Sequence, residues 1–282
     1  MKLRVASLNM SYGAVQEGRW PGLARLVRKV RPDILALQEC RGWVMDGYRM
    51  ARQAAEVLGM EIRVGRCPQG RSPEETGETA IAWRPELELA AFEDHVFDVS
   101  RGYSLGVFRV PGDDLVAVAS VHASPYSREQ ALIDSLPMAA RVRRWGGIGI
   151  AAGDFNQPGL HQPPPDWSQL MPYNRANRGI PADPLEPWNG PWGVDLTLAL
   201  RMRAAEMIDV AAHLALVRQD KRLLAATGRG QMRVDHIYVV RALAPGILDY
   251  GLVDTQGLSD HALIWTDLDL EKVDRSQLQE YR

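Results

Sequence analysis

Six short apolar runs, spread from one end of the chain to the other, each meet an acid, an amide or an imidazole at one end. Residues 3–8 run into Asn9, residues 34–37 into Gln38-Glu39, residues 115–121 into His122, and residues 148–152 into Gly153-Asp154-Phe155-Asn156. Two later runs are polar at their start: Asp235-His236 lies at the head of residues 234–240, and Ser259-Asp260-His261 precedes residues 262–268. Apolar stretches of this length read as buried strands. Leaving an acid or amide in such surroundings costs several kcal/mol unless something pairs with it. One such residue is easily dismissed, but six sites drawn from the whole chain are best explained by one shared pocket at the strand ends. Glu39, Asp154, Asp235 and Asp260 would repel one another there. A hard divalent cation relieves that repulsion, with Mg²⁺ the best match to carboxylate and amide ligands and Mn²⁺ a workable substitute. The absence of a Cys/His cluster argues against structural zinc.

Helical patterns separate the strands. Leu23, Leu26, Val27 and Val30 mark one helix face, and Pro32 ends that helix. Residues 51–58 read as a second helix with Gly59 as its C-cap. Residues 79–83 form a strand stopped by Arg84-Pro85, a helical stretch follows His122 as far as Arg141, and residues 204–217 read as a helix. The alternation predicts an α/β protein. With 282 residues, one domain over 1–270 is expected. A Pro- and Trp-rich insert at about 158–203 shows little periodicity, and long loops of that kind tend to be functional. The polar tail 271–282 is expected to fray.

Composition narrows the setting. Apolar residues are 46% and charged residues 24% of the chain, ordinary for a globular protein. No apolar run approaches the roughly 20 residues that cross a bilayer, and the N-terminus reads as a first strand, not a signal peptide. The two cysteines, Cys40 and Cys67, are too few for a disulfide framework, so no disulfide partner and a reduced, cytoplasmic setting are expected. The net charge of −2 does not advertise nucleic acid, although a local basic groove can hide in a neutral total. There is no P-loop, no dinucleotide fingerprint and no nucleophile elbow.

The ordered set Ala6-Ser7-Leu8-Asn9, Leu37-Gln38-Glu39, Val121-His122, Gly153-Asp154-Phe155-Asn156, Val234-Asp235-His236-Ile237 and Ser259-Asp260-His261 resembles the endonuclease/exonuclease/phosphatase superfamily, which includes deoxyribonuclease I and exonuclease III. The matches keep family order from residue 3 to about 268. The resemblance implies a four-layer sandwich of two packed mixed β-sheets flanked by helices. It implies Glu39 as principal metal ligand, with Asn9 and Asp260 beside it, and Asp154 as the group that orients or activates water. Asn156 and His122 would hold phosphate oxygens. His261 would contact the phosphate or act as general base, oriented by Asp235. The deoxyribonuclease branch pairs its first histidine with a glutamate. Glu78 is the candidate here, one residue short of the family spacing to Arg84-Pro85, and Glu75 is its rival.

Each residue also has a plainer reading. Asn9, Asp154 and Asn156 suit turns, and Glu39 alone would pass as a surface acid. His236 must face away from Asp235 on a strand, so a structural role is expected. His95 and His213 read as fillers, whereas His161 in the insert is within possible reach of a substrate. Trp167, Trp188 and Trp192 either anchor the insert or stack on a flat group. Arg175 and Arg178 either meet a phosphate or solvate the loop. The run 141–144 reads as the exposed side of a helix. Three functions follow: a Mg²⁺-dependent phosphodiesterase or endonuclease acting on nucleic acid, the same chemistry on a small phosphorylated metabolite or lipid headgroup, and a non-catalytic binding protein that kept the fold.

Overall fold

A computed structural model describes residues 1–66, 78–95, 100–228 and 230–280. Cys67 and Glu75 lie outside them. The chain begins with β1 (Lys2–Asn9), α1 (Trp20–Val30), β2 (Ile34–Gln38), α2 (Arg49–Leu58), β3 (Glu61–Val64) and β4 (Ala80–Trp83). It continues with β5 (Glu88–His95), β6 (Tyr103–Arg109), β7 (Leu115–His122), α3 (Arg128–Arg141) and β8 (Ile148–Asp154). The insert holds α4 (Pro172–Arg178), β9 (Gly179–Pro181), β10 (Trp192–Val194) and α5 (Thr197–Ala204). The chain then forms β11 (Met207–Asp209), α6 (Val210–Arg218), β12 (Asp235–Val240), β13 (Ile247–Val253) and β14 (Leu263–Asp269).

Two six-stranded mixed sheets result, ordered β13-β14-β1-β2-β4-β3 and β11-β12-β8-β7-β6-β5. Each has one parallel pair, β1 with β2 and β7 with β8. Parallel neighbours need a crossover, and α1 and α3 supply the two. Val5, Ile34, Ala36 and Ile81 of the first sheet share one dry cluster with Val107, Val118 and Ile150 of the second. Leu8, Leu35 and Leu37 point the other way and bury α1 and α2. Met138 of α3, Leu198 of α5 and Leu214 of α6 join the central cluster. The expected sandwich of two packed sheets with flanking helices is therefore present.

A polar bridge crosses the dry interface. Gln38 Nε2 donates to Ser120 Oγ at 2.9 Å, and Ser120 Oγ donates to the Leu37 carbonyl at 2.7 Å. Gln38 and Ser120 are fully buried, so the bridge satisfies groups that water cannot reach.

Several elements differ from the sequence reading. Strands β3, β5, β6 and β13 were not anticipated; β3 and β5 are sheet edges where Glu61, Arg63, Glu88 and Glu93 break the apolar pattern. The helix expected over 204–217 is divided by β11, and α6 starts at Val210 behind an Asp209 N-cap. The insert is not structureless, since α4 and a two-stranded hairpin fill it. The tail is held down: Val273 is buried, Leu278 packs on the core, and Asp114 pairs with Arg275. Arg143 is not on an exposed face; its guanidinium is buried and donates to the Ala205 and Glu206 carbonyls. Among the described residues no helix is long and apolar enough to cross a membrane.

Candidate active site

Strand register does most of the assembly. Asp154, the last residue of β8, stands beside His122 of β7 in the parallel pairing and beside Asp235 of β12 in the antiparallel pairing. Register partners present their side chains on one face, so a carboxylate, an imidazole and a second carboxylate form a row. Gly153 permits this close approach, because a Cβ there would sit 1.9 Å from the Val121 carbonyl oxygen. The first sheet contributes from above the same end: Asn9 closes β1 in register with Gln38, and Glu39 follows with a φ of 56°.

Hydrogen bonds lock the set. Asn9 Nδ2 donates to Glu39 Oε1 at 3.2 Å and to Asp154 Oδ2 at 3.0 Å. His261 Nδ1 and Asp235 Oδ2 are 2.8 Å apart, and His261 Nε2 lies 3.6 Å from Asp154 Oδ2. His122 Nε2 lies 3.8 Å from both Glu39 Oε1 and Asp154 Oδ2. The Asn156 amide N–H donates to Asp154 Oδ1 at 2.8 Å, and its Nδ2 donates to the Ala123 carbonyl at 3.0 Å. Arg178 reaches in from α4, donating through Nε to the Asn156 carbonyl at 3.1 Å and through Nη2 to Asn156 Oδ1 at 3.2 Å. The result is a cleft of about 280 Å³ lined by Glu39, His122, Asp154, Asn156, Arg178, Asp260 and His261, among others.

Charge follows from the surroundings. Burial disfavours a charged Asp154, and with Asp235 nearby its carboxyl is pushed up to about 6 despite the help of His261. Burial also opposes a charged His261, but Asp235 and Asp154 outweigh it and raise that imidazole to about 10. His122 is driven the other way, well below the usual histidine range, by burial and by Arg101 and His261. The cleft thus holds one charged and one neutral imidazole at neutral pH.

Not every expected residue arrives. Glu78 is buried, neither of its oxygens has a hydrogen-bond partner, and burial lifts it to about 7. It does not bond His122, whose ring nitrogens instead lie 3.4 Å from Arg101 Nη1. Arg175 stacks on Trp192, 5.4 Å from its ring centre, and Trp188 is 69% exposed; neither lines the cleft. Trp167 and Trp192 serve the anchoring role, with ring centres 6.1 Å apart. His161 is exposed and absent from the cleft lining. His236 is structural: Arg233 Nη1 donates to its Nδ1 at 2.7 Å, and its Nε2 donates to the Gln157 carbonyl at 2.8 Å.

The sequence reading missed Arg101, Arg41, Tyr12, Tyr126, Tyr173 and Asn174, all of which line the cleft. Arg101 precedes β6, a strand that was itself unrecognised, and that strand was the one available signal. Asp134 holds this segment, accepting from Ser100 N at 2.8 Å, Ser100 Oγ at 2.7 Å and Ser124 N at 3.0 Å.

The donor set suits a hard cation. Glu39 and Asp260 present carboxylates at the cleft, the ligand type that Mg²⁺ or Mn²⁺ takes, and the buried Asn9 stands behind Glu39 with Nδ2 toward it and Oδ1 accepting from Ser11 N. Asp154, Asp235 and His261 also bring one ligand atom each within 4.8 Å of one another. Asp235 bonds His261 through Oδ2 but keeps a buried Oδ1 without a partner, whereas both Glu39 oxygens accept hydrogen bonds, from Asn9 Nδ2 and from Tyr12 N, so oxygen ligands for a cation stand on both sides of the cleft.

The profile of the Endonuclease/Exonuclease/phosphatase family matches residues 6–261. The chain belongs to that family. As a member it is a phosphoester hydrolase, and the family works with divalent metal ions. An endonuclease/exonuclease/phosphatase family protein from Bacteroides thetaiotaomicron superposes with a TM-score of 0.62 at 15% identity, covering 96% of both chains. The AP endonuclease of Leishmania major gives 0.64 at 14% identity over 95% of this chain and 87% of its own. A mannosyl-6-phosphatase from Bacteroides thetaiotaomicron gives 0.62 at 15% identity over 95% of this chain and 100% of its own. At these identities the likeness is one of fold. No curated protein matches the chain in sequence.

Proposed function

We propose that this family member is a Mg²⁺-dependent phosphoesterase that attacks its substrate directly with water, and that the substrate is a compact phosphate ester. The observation that carries the reading is the row of His122, Asp154 and Asp235 with His261 bonded to its end, facing Arg178 and Asn156 across one cleft. Glu39, Asn9 and Asp260 would hold the cation, which when bound supplies Lewis-acid neutralisation of the phosphoryl oxygens. Asp154 would accept a hydrogen bond from the attacking water and take its proton. His261 would turn Nε2 to a phosphoryl oxygen, its ring fixed through Nδ1 by Asp235. Arg178 and Arg101 would meet the remaining charge, and Asn156 would orient Arg178. None of these steps needs a covalent enzyme intermediate. The cleft volume of about 280 Å³ and the wall of the insert, from which Tyr173 and Arg178 project, favour a compact ligand.

A nuclease is the second reading, supported by three arginines, Arg41, Arg101 and Arg178, in one cleft. A screen of nucleic acids, nucleotides, sugar phosphates and phospholipid headgroups with Mg²⁺ separates the two. Turnover of a small ester, abolished by chelation, is expected. His261→Ala and Asp154→Asn should each lower kcat by about 10²–10⁴-fold on that ester. Plasmid nicking with no small-ester turnover would favour the nuclease, and wild-type kcat in both variants would end the proposal.

A further inference from the structure

The turn after β1 is left-handed for four residues in succession: Ser11, Tyr12, Gly13 and Ala14 have φ of 53°, 60°, 90° and 57°. Three of them carry a Cβ, which disfavours this conformation. Such a turn persists only where its surroundings force it, and here they do. Arg19 donates to the Met10 carbonyl at 2.9 Å and also to the Ser11 and Leu258 carbonyls. Trp43 Nε1 donates to the Gly13 carbonyl at 3.0 Å, Ser11 N to Asn9 Oδ1 at 3.0 Å, and Tyr12 N to Glu39 Oε2 at 2.8 Å. All this bracing fixes the backbone, yet the ring it carries is 58% exposed at the cleft, beside Arg41.

Tyr12 is not alone. Among the described residues the exposed tyrosines are Tyr12, Tyr48, Tyr126 and Tyr173, and all but Tyr48 line this one cleft. They come from three separate segments: the turn after β1, the loop after β7, and α4 of the insert. A tyrosine offers a flat face and a hydroxyl at small cost in conformational entropy. A phosphate alone has no use for such a rim. A ring does, because aromatic faces stack on bases and on the flat sides of sugars.

Resting on the phosphoesterase reading, we propose that Tyr12, with Tyr126 and Tyr173, forms a stacking subsite for a ring carried by the ester, a sugar or a nucleobase. This rim sets specificity for ring-bearing over open-chain esters.

The test compares matched pairs with Mg²⁺ present: a hexose 6-phosphate against glycerol 3-phosphate, and a dinucleotide against glycerophosphoglycerol. The wild type should prefer the ring member of whichever pair it turns over, and the pair identifies sugar or base. Tyr12→Leu should cut that kcat/KM preference roughly 5- to 100-fold, chiefly by raising KM for the ring ester. Tyr12→Trp should restore it, and Tyr48→Leu, outside the cleft, should leave it unchanged. An active wild type without ring preference, or a preference untouched in both Tyr12→Leu and the Tyr12→Leu/Tyr126→Leu double variant, overturns this proposal alone. A wild type inert on every ester overturns the phosphoesterase reading and this one with it.

Discussion

His236 follows Asp235 on β12, so its ring turns to the opposite face of the sheet, where Arg233 and the Gln157 carbonyl engage it. Burial and the Arg233 guanidinium hold it neutral, with a pKa lowered to about 4. In the unfolded chain a histidine titrates near 6.5. Between those values the unfolded state binds the extra proton, so stability rises with pH through this window and is lost as pH falls from about 6.5 to about 4. A shift of that size is worth on the order of 3 kcal/mol. Asp154 and Glu78, raised by burial, act in the opposite sense over the same window, so the test is a difference: between pH 7.5 and 4.5 in urea unfolding, acidification should cost the wild type more stability than His236→Gln by most of that amount. An identical pH response in the two proteins would mean that His236 contributes nothing to it. At this scale the sequence was informative where polar residues interrupt apolar runs, which is why Asn9, Glu39, His122, Asp154, Asn156, Asp235, Asp260 and His261 were legible. It was silent on Arg101 and Tyr12, because an arginine or tyrosine in a loop looks the same whether it solvates the surface or lines a cleft. Glu78 was singled out from a spacing, and spacing does not tell which way a side chain turns.

The strand pair β7–β8 is the element on which the rest depends. Its parallel register sets His122 beside Asp154, and only a residue without a Cβ fits at position 153. Gly153→Ala should therefore separate the strands or leave the chain unfolded. Loss of cooperative thermal unfolding, or at least a 100-fold fall in kcat/KM with the fold retained, is the expected result; near-wild-type behaviour in both would show that the backbone yields more easily than close packing allows. Central strands such as β1, β2, β7 and β8 were readable because they are apolar on both faces. The edges β3 and β5 carry charged residues, Glu61 and Arg63 in one and Glu88, Glu93 and Asp94 in the other, as protected edges do, and that charge hides them. The reading of 204–217 as one helix ran over β11 because a strand of three residues is too short to show a period, and its Met207 and Ile208 lead straight into the apolar start of α6.

At the scale of the molecule, the cleft takes Glu39 from the end of one sheet and His122 and Asp154 from the other, with Asn9 and Asp235 bonded just behind them. A cation bound there would stabilise the folded state as a whole. At a hundredfold excess over Kd the gain is about 2.7 kcal/mol, which for a chain of this size corresponds to roughly 5 °C in Tm. Differential scanning calorimetry should show that rise with Mg²⁺ in the wild type and its absence in Glu39→Gln. An equal rise in both would move the cation site elsewhere. The alternation of strands and helices gave an α/β class, and the sandwich itself was legible only through the family resemblance that the ordered motifs carry. The ordered insert was not, because short helices and a hairpin carry too few residues to establish a period.

The Gln38–Ser120 bridge has a further consequence. Two greasy sheets pressed together have many nearly equal ways to lie, differing by small slides. A single amide that finds its acceptor in just one of them works like a dowel between two boards, and it fixes the reach from the upper carboxylate to the lower row. The strand-end groups that this joint spaces, Asn9, His122 and Asp154, are held from the core, so the tyrosine rim can be recut for a new ligand while the blade beneath stays aligned.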